Sequence, residues 1–392
     1  MNEVAQSTRI AVAVPRGSPP EETRVALVPS VVPQLVKSGL DVIVERGAGE
    51  PAGFPDADYA QHGAHLGTRR DALGAEIVVR VRGWGFDGHG NLDVSHPDQV
   101  VIALADPLGS PIAVRAAAEH KLVTLALDLV PRITRAQGMD ALSSQATVTG
   151  YKAVVLAADR LPKMFPMLTT AAGTISPAQV FVVGAGVAGL QAIATARRLG
   201  AVVQAYDVRP AAQEDIESLG ARCILLPLAP GDAEDQSGYA KELGAAFYRR
   251  QQELMAQVVA GVDVVITTAL IPGAPAPTLI TADAVAGMRP GSIIVDCAAE
   301  RGGNCELTRA DETVVTDNRV TILGPTNLPS TLPHDASLMY SKNVVALLGL
   351  IVKDGRLALD DEDEIVRGIL VTAGGKIVHH RVRRALEEVR DD

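Results

Sequence analysis

Residues 179–207 read Q-V-F-V-V-G-A-G-V-A-G-L-Q-A-I-A-T-A-R-R-L-G-A-V-V-Q-A-Y-D, and the order of residue types within them decides the fold. The apolar run from Gln179 to Val183 predicts a buried strand, the alanine-rich segment from Val187 a helix, and Ala201 to Tyr206 a second strand. Between the first strand and the helix stand Gly184, Ala185, Gly186, Val187, Ala188 and Gly189, a G-x-G-x-x-G turn. The first glycine permits the tight turn, the second lets the backbone approach a pyrophosphate, and the third lets the helix pack close to the sheet. A pyrophosphate placed there meets the unpaired N–H groups and the positive dipole end of the helix. Asp207 follows Gly189 by 18 residues, near the spacing of about 20 at which a carboxylate binds the adenosine ribose 2′-hydroxyl. A carboxylate there repels a 2′-phosphate, so the segment predicts NAD. Val208 and Arg209 complete it; an arginine can accommodate a 2′-phosphate, but Asp207 comes first, at the strand end. A glycine turn alone is weak, since ordinary turns use glycine pairs. Here strand, helix and acid are all in place.

Upstream, strand-like runs at Ile10–Val14, Val42–Glu45, Ile77–Val81, Val100–Leu104 and Leu122–Leu127 alternate with helix-like segments at Ser30–Ser38, about Ala57–Leu66 and 111–120. Such alternation predicts a parallel sheet flanked by helices. A polar segment, Arg132–Ser144, and a connecting helix, Val148–Leu161, lead into the glycine turn and a second α/β core. The fold class is therefore α/β: two Rossmann-like domains with parallel sheets flanked by helices, separated by a nucleotide cleft. The tail offers a helix at Leu338–Val352, an acidic run at Asp360–Glu364 read as a solvated turn, and a hairpin signal at Gly374-Gly375. Residues 83–99, with the only tryptophan (Trp84), and residues 227–239 read as loops, the second of a length more often functional or mobile than idle.

A net charge of −10 and 3% aromatic residues argue against an extended nucleic-acid surface. No apolar stretch reaches the roughly 18 residues of a membrane span, and the N-terminus, with Glu3, has no apolar signal core, which points to the cytoplasm. Cys223, Cys297 and Cys305 have no metal-type spacing. His62 and His65 share the spacing of one helix face, and His379 and His380 should point apart. Neither pair has further ligands, so no metal site is expected. The acidic run lacks the glycine of a calcium loop.

The segment P-R-I-T-R-A-Q-G-M-D-A-L-S-S-Q, Pro131–Gln145, resembles the arginine–glutamine–aspartate loop of the NAD(H)-binding component, domain I, of the proton-translocating nicotinamide nucleotide transhydrogenases. The same resemblance runs through E-E-T-R-V-A-L-V-P at Glu21–Pro29, S-G-Y-A-K-E at Ser237–Glu242, T-T-A-L-I-P-G-A-P-A-P at Thr267–Pro277 and G-G-N-C-E at Gly302–Glu306, so it spans nearly the whole chain. It implies that Arg132, Gln137 and Asp140, with Ser143, hold the nicotinamide end of NAD(H) for transfer, and that Ile133, Thr134 and Arg135 belong to the same binding loop. It further implies that Gly238 and Tyr239 sit on a loop closing over the nucleotide and that Ala269 and Leu270 line the adenosine and pyrophosphate pocket. The tail should pack on the N-terminal domain, making one unit of residues 1–145 and 335–392 and another of 146–334. The implied partners are an NADP(H)-binding beta subunit and a membrane-spanning alpha-2 subunit that couples transfer to proton translocation. A homodimer held at the inner membrane face through those subunits completes the expectation.

The residues themselves suit this chemistry. Hydride transfer between two nicotinamides needs no side-chain acid or base, so the protein works by positioning and by excluding water. The plainer reading of Pro131–Gln145 is a solvated loop with Asp140 or Ser143 capping the next helix. The competing function is an alanine-dehydrogenase-like amino-acid oxidation, which needs an acid/base. Arg24 matches that family's carboxylate-holding arginine, but Arg80 stands where its lysine would, Ile102–Pro107 contains no histidine, and Glu300 replaces an aspartate. A non-catalytic NAD-binding subunit would keep the glycines and Asp207 without needing Arg132, Gln137 and Asp140 together.

Overall fold

The apolar runs form the central strands of two sheets. The computed structural model describes residues 9–17, 21–83, 96–225, 245–271, 273–353 and 355–388. The chain divides into two units, one of Met1–Gln145 with Pro329–Asp392 and one of Ala146–Leu328.

In the second unit the strands lie in the order Arg222–Cys223, Val202–Tyr206, Gln179–Val183, Val264–Thr267, Ile293–Asp296, Thr321–Leu323, Thr313–Val315. All pair in parallel except Thr313–Val315, which runs antiparallel at the edge. Numbered along the chain, the six parallel strands have the doubly wound order 3-2-1-4-5-6. Gln179–Val183 lies in mid-sheet with helices on both faces, which is why it reads as a continuous apolar run. Val180 and Val182 pack with Ile193 and Ala196, whereas Phe181 and Val183 face the opposite core with Met255 and Val259.

The first unit repeats the winding. Its order is His65–Gly67, Asp41–Glu45, Ala11–Val14, Ile77–Arg82, Val100–Leu104, Val123–Ala126, then the tail strands Leu370–Ala373 and Lys376–Ile377, which are antiparallel. The hairpin expected at Gly374-Gly375 is present, with φ of 55° and 75°, the left-handed pair that a two-residue turn requires. Helix Pro333–Ile351 buries Tyr340, Val344, Leu347, Leu348 and Ile351 in this unit's core. Residues 329–334 belong with it as well: Ser330 Oγ donates to Glu21 O at 2.6 Å and accepts from Thr23 N–H at 2.9 Å.

Four local expectations are corrected. The helix expected to reach Leu66 ends at Gln61, because Gly63 turns left-handed (φ 96°) and His65–Gly67 pairs as a strand; His62 and His65 therefore share no helix face. His379 and His380 stack at 5.1 Å instead of pointing apart. The connecting helix begins at Ala141, not Val148, and the acidic run is more than a solvated turn, since Asp363 caps helix Glu364–Ile369 by accepting from Ile365 N–H. Among the described residues, no helix is long and apolar enough to cross a membrane.

Asp128 provides a pH test of this unit. Its Oδ2 accepts from the N–H groups of Ala105 and Asp106, and burial pushes its carboxyl up to about 6. The folded state thus holds this proton more tightly than the unfolded chain does, so Asp128 makes stability fall as pH rises from about 4 through about 6. Asp128→Asn, whose Oδ1 can accept the same two bonds, should flatten that part of the melting-temperature profile. An unchanged profile would refute the assignment.

Candidate functional site

The glycine turn forms at the C-terminal end of Gln179–Val183, beside Val264–Thr267, where the strand order reverses. Ligands of doubly wound sheets bind at this position. Gly184 has φ 93°, and a Cβ there would lie 2.7 Å from Thr268 Oγ1. At Gly189 a Cβ would stand 1.8 Å from Gly184 O, so only glycine lets helix Val187–Arg198 start so close to the strand. Gly186 differs: a Cβ there would meet nothing within 4 Å, and both Gly186 and Val187 are exposed. Ala185 is buried and Ala188 half-buried. The open approach is thus at the middle glycine, over the first-turn N–H groups of the helix. That cradle fits a pyrophosphate.

Asp207 sits beside this turn. Ala185 N–H donates to its Oδ2 at 2.7 Å, and Gly184 N–H donates to Tyr206 O at 2.8 Å, so the turn and the strand end are tied together. Arg209 forks onto the same carboxylate through Nε and Nη2, at 2.9 and 3.0 Å. Val208, between them, is half-buried.

Ala269 and Leu270 follow Val264–Thr267, and Leu270 is 44% exposed. What places them is Asn304, which sequence reasoning missed. Its side chain accepts from Ala269 N–H at 3.0 Å and donates to Ala269 O at 2.8 Å and Pro277 O at 2.9 Å. Asn304 is itself fully buried. Buried Asp296 holds the loop carrying it, accepting from Thr267 and Thr308 hydroxyls and from the N–H groups of Ala298 and Cys305. A polar residue among glycines in G-G-N-C-E was the only hint. Gln251 was also missed: it is buried and donates to the Tyr206 hydroxyl at 2.9 Å, and its Oε1 has no partner among the described residues. Gly238 and Tyr239 lie outside the described residues.

The arginine–glutamine–aspartate loop lies in the first unit. Thr134–Met139 is a 3₁₀ helix, and its sequence has the three-residue period of that helix. Ile133, Ala136 and Met139 turn inward, while Arg132, Thr134, Arg135 and Gln137 are exposed. Two tail contacts fix it. Arg135 makes a bidentate pair with Asp363 at 2.7 and 3.0 Å, which holds the Asp363 carboxyl down at about 2. Asn343 donates to Gly138 O at 2.9 Å and accepts from the Ser144 hydroxyl at 2.7 Å. Asp140 spends both oxygens on Ser143, on its N–H at 2.9 Å and its hydroxyl at 2.6 Å, and so caps helix Ala141–Arg160. Thus the plainer capping reading of Asp140 and Ser143 holds in the geometry, and Arg132 and Gln137 are the members of the set that face outward.

A crevice of the first unit is lined by Arg16, Glu22, Arg24, Arg80 and Arg82 among others. Arg24 is buried and forks onto Glu22 while donating to Gln145 Oε1 at 2.7 Å. No histidine or lysine lines this crevice, and Glu300 is exposed in the other unit. Burial raises the thiols of Cys223, Cys297 and Cys305, leaving each protonated and unreactive near neutral pH.

Two doubly wound units, one carrying a dinucleotide turn, are the build of a known class. The chain belongs to the alanine dehydrogenase/PNT family, whose N-terminal domain matches residues 13–149 and whose C-terminal domain matches residues 153–380. Within that family it is 42% identical over 374 residues to the first of the polypeptides that make up NAD(P) transhydrogenase subunit alpha in Rickettsia prowazekii strain Madrid E, covering 95% of this chain and 97% of that protein. The crystal structure of transhydrogenase from Sinorhizobium meliloti superposes with a TM-score of 0.83 at 44% identity, covering 94% of this chain and 100% of that one. Alanine dehydrogenase of Halomonas elongata is 30% identical over 391 residues, with 95% and 96% covered.

Proposed function

We propose that this chain is the NAD(H)-binding subunit of a transhydrogenase and exchanges hydride with NADP(H) held on a partner beta subunit. The supporting observation is the combination of an NAD-type turn with an exposed loop built for positioning. Gly184 to Gly189 and Asp207 would hold the pyrophosphate and adenosine ribose, and Ala269 and Leu270, set by Asn304, would line the same pocket. Arg132 and Gln137 would orient the carboxamide and ribose of the nicotinamide half. A bound nicotinamide supplies the hydride chemistry itself, and the side chains bind, align and exclude water. Arg80, in place of a titratable lysine, speaks against amino-acid oxidation, because a guanidinium does not give up its proton.

The remaining features of this reading rest on the relatives named transhydrogenase. They are partnership with a membrane-spanning alpha-2 subunit, coupling to proton translocation, a homodimer, and a cytoplasmic location at the membrane's inner face. The deciding experiment is transfer from NADH to an NADP analogue, with and without the beta subunit: transfer should require it. L-Alanine should not support NADH formation by the pure chain, and robust alanine-dependent NADH formation would reverse the choice of function.

NADH should also bind at least about tenfold more tightly than NADPH, a difference of about 1.4 kcal/mol that one unfavourable charge contact at Asp207 can supply. Asp207→Ser should narrow the gap. Equal wild-type affinities in a titration would remove Asp207 from the argument.

A further inference from the structure

All the acceptor capacity of Asp207 is in use. Its Oδ1 accepts from the main-chain N–H and Nε of Arg209, both at 2.9 Å, and its Oδ2 from Ala185 N–H at 2.7 Å and Arg209 Nη2 at 3.0 Å. An ionised carboxylate offers about four lone-pair sites, so these four bonds fill it. The carboxylate is 8% exposed and the arginine side chain 19%. A ribose hydroxyl that donates to Asp207 must therefore displace a donor. Ala185 N–H and Arg209 N–H are main chain, fixed by the turn and the strand end. Only the guanidinium can leave.

We propose that Arg209 determines nucleotide specificity: its side chain competes with the ribose hydroxyls for Asp207 and, once displaced, softens the rejection of a 2′-phosphate. The inference rests on the reading of Asp207 as the ribose-binding carboxylate. Two opposing effects follow from one side chain. Breaking a charge-assisted fork lowers NADH affinity. The displaced cation stays tethered two residues from Asp207, so a 2′-phosphate meets a partly neutralised carboxylate rather than a bare one.

The test is titration of NADH and NADPH into the wild type, Arg209→Leu, Asp207→Ser and the double variant. Arg209→Leu should bind NADH at least as tightly as wild type and widen the NADH-over-NADPH ratio about tenfold. Asp207→Ser should gain NADPH affinity while Arg209 is present, and the double variant should lose that gain. Arg209→Lys, a milder change, should tighten NADH and keep the ratio within about threefold of wild type, because the charge remains while the planar fork is lost. A tenfold loss of NADH affinity in Arg209→Leu with an unchanged ratio would overturn the proposal, making Arg209 an attractive contact to the shared part of the nucleotides. An unmoved ratio at unchanged NADH affinity would overturn it equally. If the wild type prefers NADH and Asp207→Ser narrows the preference, the nucleotide site stands and only the role of Arg209 falls; binding of neither nucleotide by wild type overturns both.

Discussion

Gln137→Asn is expected to slow partner-dependent hydride transfer about 100-fold while leaving the NADH dissociation constant within about threefold of wild type. The substitution keeps the amide and retracts it by one methylene. Gln137 is exposed on a 3₁₀ helix that Ala136 and Met139 anchor in the core and that Arg135–Asp363 and Asn343–Gly138 hold to the tail. The base cannot slide to restore the lost reach. Misplacing a reacting atom by about 1 Å costs roughly 100-fold, whereas ground-state affinity comes chiefly from the adenosine and pyrophosphate end. Asn343→Ala, which removes the donor to Gly138 O, should give a smaller loss of the same kind, in rate and not in binding. Single-turnover transfer under saturating nucleotides reads both. A wild-type rate in Gln137→Asn would take residue 137 out of the transfer site.

Gly189→Ala and Gly186→Ala should fail in different ways. At Gly189 the added Cβ would lie 1.8 Å from Gly184 O and 2.8 Å from Gly184 C, both main-chain atoms of the turn. The helix must back away from the strand, at a cost of about 1–3 kcal/mol for overpacking, and the displaced turn should lose at least about tenfold in NADH affinity. At Gly186 the Cβ meets no protein atom, so the fold should melt as wild type does while the methyl group occupies the space a pyrophosphate needs. Thermal melts paired with NADH titrations separate the two. Wild-type NADH affinity in Gly186→Ala would mean that no ligand approaches the turn there.

Strand–turn–helix at residues 179–198 was legible because each of its signals is local: a buried run, a glycine spacing and an alanine-rich helix. Winding order was legible for the same reason, through alternation of periods. The tail was less so. Val344–Val352 announces a buried helix, but nothing in its residues says which core it fills, and Tyr340 meets Arg80 O across a separation of 260 positions. The acidic run looked solvated because charge runs usually are; a single partner, Arg135, makes Asp363 a clamp. His65 went wrong because Gly63 could not be distinguished from a glycine tolerated inside a helix.

By itself, the sequence determined the residue types that no other arrangement would explain: three glycines at fixed spacing, a carboxylate at a strand end, and the I-x-x-A-x-x-M period of a 3₁₀ turn. These depend on backbone geometry within one or two turns, so short-range order suffices. Tertiary structure alone decided what those groups are bonded to. It filled the Asp207 carboxylate with Arg209 and Ala185, spent Asp140 on a helix cap, and brought Asn304 and Asn343 from 35 and 205 positions away onto the backbone of Ala269 and Gly138. A side chain's partners are set by packing between distant segments, and buried polar groups must find them wherever the fold supplies a donor or an acceptor.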